Sequence, residues 1–382
     1  MINISLLGAS GSVGESCLKV IDRFPDRLKL QNCSIHSNLK KGLDIITKYS
    51  PEYLVITDTN VNKAYLGTKK NNTIILYGDT FLKEIVTFAE IDIVVTAIVG
   101  AVGIHPTVSA IKANKKIGIA NKETLVTFGP YIKSLLKQSK SELIPVDSEH
   151  NALFQLMQHK KIENINCITL TASGGSFRDF PIEDLKNVTV EQALKHPTWK
   201  MGPKITIDSA SLVNKSLEVI EAHFLFDMPY EKIEIVIHPE SIVHGIVENK
   251  DGSLEMYASH PDMIFPVAHS IFYPNNIPEI LIERKPSSFK NLTFKEVDYK
   301  RYPALPLAIQ SGKKGGTAPC IYNAANEVAV ELFLKQQIKF LEITEIIEKT
   351  LNKIPISYPE SLEEFLEIDS LARKTAKIRK ES

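Results

Sequence analysis

Three short stretches carry residue types that could hold a metal ion or a phosphate. Pro145-Val146-Asp147-Ser148-Glu149-His150 follows an apolar run. In extended chain, residues two apart point to the same side, so Asp147 and Glu149 can share one cation. An Asp/Ser cap on a helix beginning near Asn151 is the competing reading. Further on, Asn214 and Glu218 stand four residues apart with Lys215 alongside, one face of a helix. Carboxylates without thiolates suit a hard cation such as Mg²⁺ or Mn²⁺; a surface helix with a Lys–Glu pair is the alternative. Thr171-Ala172-Ser173-Gly174-Gly175 offers a hydroxyl and close backbone approach. With Ser209, Asn214 and Lys215 it could hold a phosphate, or it is a plain glycine turn. His196 to Pro203 contains the only tryptophan, Trp199, and reads as a closing lid or as a buried anchor. His238-Pro239-Glu240 with His244 lacks a zinc-site spacing and is expected in the core or at an interface.

A further stretch suggests a nucleotide. Gly8-Ala9-Ser10-Gly11-Ser12-Val13-Gly14 lies between a strand-like opening and a helical pattern. There glycines permit close approach of a pyrophosphate to a helix N-terminus. After the second strand the chain reads His36-Ser37-Asn38-Leu39-Lys40-Lys41, with no acid before Asp44. A carboxylate there would repel a 2′-phosphate, so NADPH is expected over NADH.

These residues need a scaffold. Apolar runs at Ile2–Leu7, Leu28–Ile35, Tyr53–Thr57, Thr73–Leu76, Ile91–Ala97, Ile117–Ala120 and Leu143–Val146 alternate with helical patterns. That alternation predicts a Rossmann-like, doubly wound α/β domain over residues 1–147. An α+β catalytic domain over 148–275 follows, with strands at Ile168–Thr171, Ile233–Ile237, Ile242–Glu248 and Leu254–Ala258 and one helix from Ser211 to Phe226. A proline-marked connection spans 276–303, and a small C-terminal α-helical bundle spans 304–382, its clear periodicity starting at Tyr322.

Lys+Arg and Asp+Glu both number 45, and this neutrality argues against a nucleic-acid or anionic-membrane partner. Four scattered cysteines without a CxxC pair indicate a reducing compartment. The most apolar run, Ile93 to Ile104, is too short to cross a bilayer. A cytoplasmic bacterial enzyme is expected, an organellar one given without its transit segment being the other possibility.

In this order the segments resemble the 1-deoxy-D-xylulose 5-phosphate reductoisomerase family. Those carrying the likeness are Gly8 to Gly14, Ala120-Asn121-Lys122-Glu123, Pro145 to Asn151, Thr171 to Gly175, His196 to Gly202, Asp208 to Glu218, His238 to His244, Pro261-Asp262-Met263 and Asn323 to Glu327. The resemblance implies a homodimer, dependent on NADPH and on Mg²⁺ or Mn²⁺ (Co²⁺ also serving). It would turn 1-deoxy-D-xylulose 5-phosphate into 2-C-methyl-D-erythritol 4-phosphate, in the non-mevalonate isoprenoid pathway, by retro-aldol cleavage, re-addition and hydride reduction. It implies metal ligation by Asp147, Glu149 and Glu218, and catalytic roles for Lys122, Glu149 and His196. Substrate contacts would come from Lys122, Ser148, Glu149, Ser173, His196, Trp199, Met201, Ser209, Asn214, Lys215 and Glu218. Ser10, Gly11, Ser12, Val13, Asn38, Asn121, Glu123 and Gly202 would face NADPH. Ser37 departs from the Lys or Arg common in the family, so the preference for NADPH is either weaker or rests on Lys40. A semialdehyde dehydrogenase-like enzyme shares the glycine loop but needs an activated cysteine. An NADPH-sensing regulator without turnover would have no reason to assemble the carboxylates.

Overall fold

The computed structural model describes residues 1–61, 69–199, 201–283 and 291–378. The chain forms two compact units, each gathered from separate stretches. The first takes Met1–Asn121, Ile132–Asn151 and Asp262–Glu283; the second takes Lys122–Tyr131, Ala152–Pro261 and the remainder of the chain.

The first unit is built on a sheet of eight strands: β1 (Ile2–Leu7), β2 (Leu28–Ile35), β3 (Tyr53–Ile56), β4 (Lys69–Lys70), β5 (Thr73–Tyr77), β6 (Ile93–Thr96), β7 (Lys116–Ile119) and β8 (Leu143–Pro145). Their order is β4-β5-β3-β2-β1-β6-β7-β8, parallel except for β4, which runs against β5 at the edge. The apolar runs predict the seven parallel strands. The Lys69-Lys70 pair gives no apolar signal for the eighth. Strand order reverses at β1, which pairs with β2 on one side and β6 on the other. Ligands of open α/β sheets bind at the carboxyl ends of strands at such a reversal. Ile4, Leu6, Ile35, Leu54, Ile93 and Val95 fill the core, each fully or almost fully buried. Helix Ile264–Phe272 comes from far along the chain, yet Val267 and Ile271 enter this same core. Lys116 holds its end, its Nζ donating to the carbonyls of Ile271 (2.8 Å) and Tyr273 (2.7 Å).

In the second unit, β9 (Ile165–Ala172), β10 (Ile233–Ile237), β11 (Val243–Asn249) and β12 (Leu254–Ala258) form a sheet ordered β10-β9-β11-β12. Only β9 and β10 run parallel. Asp251-Gly252 makes the expected turn between β11 and β12, with Gly252 at φ +83°. The helix expected from Ser211 to Phe226 is found at Val213–Phe226, and a further helix not expected from the sequence, Pro203–Ala210, precedes it. Leu212 breaks them at φ +56°, while the Ser211 hydroxyl turns back to the carbonyls of Ile207 and Asp208. The last helices are Ala304–Lys314, Ala318–Leu334, Glu342–Lys353 and Leu362–Lys377. Helical structure therefore starts well before Tyr322, interrupted at Gly315-Gly316, both at positive φ. Among the described residues no helix is long and apolar enough to cross a membrane.

Candidate active site

In the first unit the glycine loop follows β1 directly. Gly8 stands at φ +86°, and a Cβ there would lie 2.5 Å from the Ala97 carbonyl oxygen, so only glycine fits. Its N–H donates to the Ser34 hydroxyl (3.0 Å), and Ala9 N–H to the Ser34 carbonyl (2.7 Å). Helix Ser12–Arg23 then begins from Gly11 without a side-chain cap, leaving its first amides for an anion. Asn38 caps helix Leu39–Tyr49 by accepting the Lys41 N–H. Lys41 is committed to Glu15 at 2.9 Å, whereas Lys40 is exposed beside Ser37 and Asn38. Asn121 donates to the carbonyls of Ile98 and Gly100.

After β8 the chain turns at once into helix Ser148–Met157, and Asn151 N–H bonds to the Asp147 carbonyl at 2.8 Å. Glu149 thus sits in the first helical turn. The extended geometry expected for Asp147 to Glu149 is corrected, because a helix at Ser148 satisfies these short polar side chains at its N-terminus. The helix instead sets Asp147 and His150 one turn apart, each offering a ligand atom within 4.8 Å of the other's. His150, fully buried, was not singled out from sequence, although its i+3 spacing from Asp147 was the available signal. Ser148 Oγ donates to Glu149 Oε2 at 2.5 Å. Asn151 braces the segment through the Pro145 carbonyl (2.7 Å) and His269 Nδ1 (3.0 Å). Burial, then the Lys116 charge, pushes His269 down to about 4, so its ring is neutral and accepts.

In the second unit the predicted helix face is assembled. Lys122 Nζ reaches Asn214 Oδ1 (2.9 Å) and Glu218 Oε1 (3.1 Å). Asn214 Nδ2 donates to the same Glu218 oxygen at 2.6 Å, and Lys215 bonds to the other. Glu218 is fully buried, which demands this many partners.

Close by in sequence is a hydroxyl–imidazole cluster. His196 Nε2 lies 3.0 Å from Ser173 Oγ and 3.1 Å from Ser209 Oγ. His196 Nδ1 accepts the backbone N–H of Thr198 (3.1 Å) and Trp199 (2.9 Å). Nδ1 is therefore unprotonated and Nε2 carries the hydrogen. Burial, then the Arg178 charge, lowers this imidazole to about 4. The Arg178 guanidinium fixes the loop through the carbonyls of Ser173 (3.0 Å) and Pro239 (3.4 Å), and Tyr302 Oη donates to the Gly174 carbonyl (2.9 Å). Trp199 meets the His244 ring edge-on at 6.4 Å, and Met201 is half-buried. Lys200, in the expected lid, lies outside the described residues. Glu123 spends its carboxylate on Lys204 at 2.7 Å. His238 is a fully buried core residue. Its Nε2 accepts the N–H groups of Ile242 and Val243, and its Nδ1 faces the Thr293 carbonyl.

The cysteine nucleophile of the rival dehydrogenase has no counterpart here. All four cysteines are buried. Burial pushes the thiols of Cys17, Cys33 and Cys167 up to about 12 and that of Cys320 higher still, so none is a thiolate near neutrality.

Comparison with known proteins agrees along the length of the chain. The family profile 1-deoxy-D-xylulose 5-phosphate reductoisomerase matches residues 4–129, its C-terminal domain matches 143–226, and a second profile, DXP reductoisomerase C-terminal domain, matches 258–375. A 1-deoxy-D-xylulose 5-phosphate reductoisomerase of Leptospira borgpetersenii is 56% identical over 98% of this chain and 96% of its own. The one from Clostridium kluyveri is 46% identical over 99% of both. Among solved structures, the Zymomonas mobilis reductoisomerase in complex with NADPH superposes with a TM-score of 0.90 at 37% identity, covering 98% of both chains. A DOX-P reductoisomerase in complex with NADPH, fosmidomycin and magnesium gives 0.92 at 36% identity, covering 98% of this chain and 97% of its own.

Proposed function

The chain belongs to the 1-deoxy-D-xylulose 5-phosphate reductoisomerase family and converts 1-deoxy-D-xylulose 5-phosphate to 2-C-methyl-D-erythritol 4-phosphate with NADPH and Mg²⁺; on that premise we propose which of its residues do the work. The observation that carries the proposal is the His196 Nε2–H held between the hydroxyls of Ser173 and Ser209. Hydroxyls, an N–H donor and the glycine amides beside them form a donor set for a phosphate. Ser173, His196 and Ser209, with Asn214 and Lys215, anchor the substrate's phosphate, and that binding energy orients its reacting end. A neutral His196 donates one hydrogen bond there without having to lose a proton.

Asp147, Glu149 and Glu218 are the proposed metal ligands. All are oxygen donors, as Mg²⁺ requires, and Mn²⁺ or Co²⁺ fit the same set. When bound, the cation polarises the ketone and its neighbouring hydroxyl, and NADPH supplies the hydride. Lys122 and Ser148 position substrate oxygens and Glu149 the carbon end, while Trp199 and Met201 cover the site and exclude water. On the cofactor side, Ser10, Gly11, Ser12, Val13, Asn121, Glu123 and Gly202 face NADPH, with Asn38 and Lys40 toward the adenosine phosphate. A homodimer is proposed as well. Its support is β12, an edge strand whose Leu254 and Met256 are exposed, a feature that otherwise invites aggregation. A bacterial cytoplasmic setting accords with the bacterial relatives and the four free thiols.

The phosphate assignment is tested with Ser173→Ala and Ser209→Ala. Each should raise the KM for 1-deoxy-D-xylulose 5-phosphate by at least about tenfold, a lost hydrogen bond to a charged group being worth roughly 1.5–3 kcal/mol, with the KM for NADPH unchanged. Substrate KM values within twofold of wild type in both would remove it. Met256→Lys should shift sedimentation to the monomer; an unchanged species would exclude β12 from the dimer contact.

A further inference from the structure

A buried charge network ties the C-terminal helices to the floor of the site just described. Lys204 is the second residue of helix Pro203–Ala210, which begins where the lid segment ends and carries Ser209 near its far end. Its Nζ lies 2.7 Å from Glu123 Oε1 and 2.8 Å from Asp208 Oδ2. Asp208, immediately before Ser209, also accepts from Asn326 Nδ2 at 3.0 Å. Asn326 belongs to helix Ala318–Leu334, as does Asn323, which donates to Thr127 Oγ1 (3.2 Å) and to Glu327 (3.0 Å). Glu327 pairs in turn with Arg373 of the last helix at 2.8 Å. Thr127 stands one helical turn after Glu123, so the first two turns of helix Lys122–Lys137 are each gripped once.

Glu123 and Asp208 are both buried, and Lys204 is their shared cation. Burial alone would lower the lysine's pKa, but Asp208, Glu123 and Glu327 together hold it above its ordinary value, so it stays charged. Two buried carboxylates on one ammonium form a junction that is costly to break, since loss of the cation leaves both uncompensated. The residue before Glu123 is Lys122, and the residue after Asp208 is Ser209. The junction thus sets the separation between a helix that presents Lys122 to Asn214 and Glu218 and one that presents Ser209 to His196.

We propose that Lys204 is a positioning residue for the reductoisomerase reaction. Held from behind by Asn326, it keeps the Ser209-bearing helix, and with it the end of the lid, in register with the Lys122 turn. The proposal rests on Ser209 being a phosphate anchor and on His196–Pro203 being the lid. Sequence spacing does not reveal the junction, because Glu123 and Lys204 are 81 positions apart.

The test compares steady-state kinetics of Lys204→Met, Lys204→Arg and Asn326→Ala with wild type and with Ser209→Ala. Trp199 emission on adding fosmidomycin, with NADPH and Mg²⁺ present, serves as a second readout. In Lys204→Met the KM for 1-deoxy-D-xylulose 5-phosphate should rise at least tenfold, with a smaller fall in kcat and a weakened Trp199 response. Lys204→Arg, which keeps the charge, should recover most of both, and Asn326→Ala should show the same pattern at about threefold. If Lys204→Met does not fold, Lys204→Arg and Asn326→Ala carry the comparison. Lower thermal stability with unchanged KM and unchanged Trp199 response would overturn the positioning role, leaving Lys204 purely structural. Were Ser209→Ala also without effect on KM, the place of Ser209 in the phosphate site, on which the junction rests, would fall; a raised KM in Ser209→Ala alone would remove only the junction.

Discussion

Gly175→Ala probes the phosphate loop through geometry alone. A Cβ at Gly175 would lie 2.3 Å from the Ser209 carbonyl oxygen and 2.7 Å from Ala210 Cα, both backbone atoms that cannot swing aside. Real contacts of this kind do not fall below 3.0 Å, so the loop and the Ser209 helix must separate by about 0.7 Å or more. A displacement of that size at Ser209 is large enough to take its 3.1 Å contact with His196 past the ~3.5 Å at which a hydrogen bond ends. Gly175 also stands at φ +70°, where alanine costs roughly 1–2 kcal/mol. Overpacking adds roughly 1–3 kcal/mol. Together these lower the melting temperature by roughly 2–6 °C in a chain of this length, and misplacement of the anchor should cut kcat/KM about a hundredfold. Gly252→Ala is the control: φ is +83°, but a Cβ there meets nothing within 4 Å. It should show only the conformational cost and wild-type kinetics. Measured by NADPH oxidation and thermal melts, a Gly175→Ala enzyme indistinguishable from Gly252→Ala in both would refute the steric reasoning.

Glu149→Gln should reduce turnover by several orders of magnitude and raise the Mg²⁺ needed for half-maximal rate; near-normal turnover at the same Mg²⁺ would exclude the ligand role. Lys40→Ala should raise the KM for NADPH about tenfold and leave that for NADH unchanged, because only the 2′-phosphate is lost to it; equal effects on both cofactors would count against Lys40. His196 and His269 both sit near 4 in the folded protein against an ordinary 6.5. The unfolded chain therefore binds more protons between those values, and the stability these two rings contribute above pH 6.5 is lost as pH falls toward 4. His269→Asn should flatten that part of a denaturation-midpoint profile, and an unaltered profile would contradict the assignment.

The parallel sheet was legible because β3, β5 and β6 are nearly continuous apolar runs rich in Ile, Val and Leu, as burial on both faces requires. The site helix was legible in its spacing, since Asn214 and Glu218 at i, i+4 must share a face. What failed did so where local signals are degenerate or where partners are distant. Asp147, Ser148 and Glu149 suit a strand end and a helix N-terminus equally, and only the structure decides for the helix. Helix Pro203–Ala210 was missed, and its separation from Val213–Phe226 rests on a left-handed Leu212, a conformation that no side-chain pattern announces. Lys122 meets Asn214 across 92 positions of sequence, so family resemblance alone drew it into the site. The return of Ile264–Phe272 to the first sheet is a packing event of the same long-range kind.

The most direct measurement follows NADPH consumption and product formation from 1-deoxy-D-xylulose 5-phosphate, with Mg²⁺, with a chelator, and with Mg²⁺ restored. The account predicts stoichiometric 2-C-methyl-D-erythritol 4-phosphate, abolished by the chelator and recovered with the ion. NADPH oxidation that persists in the chelator, or no product from folded protein supplied with Mg²⁺, would contradict it.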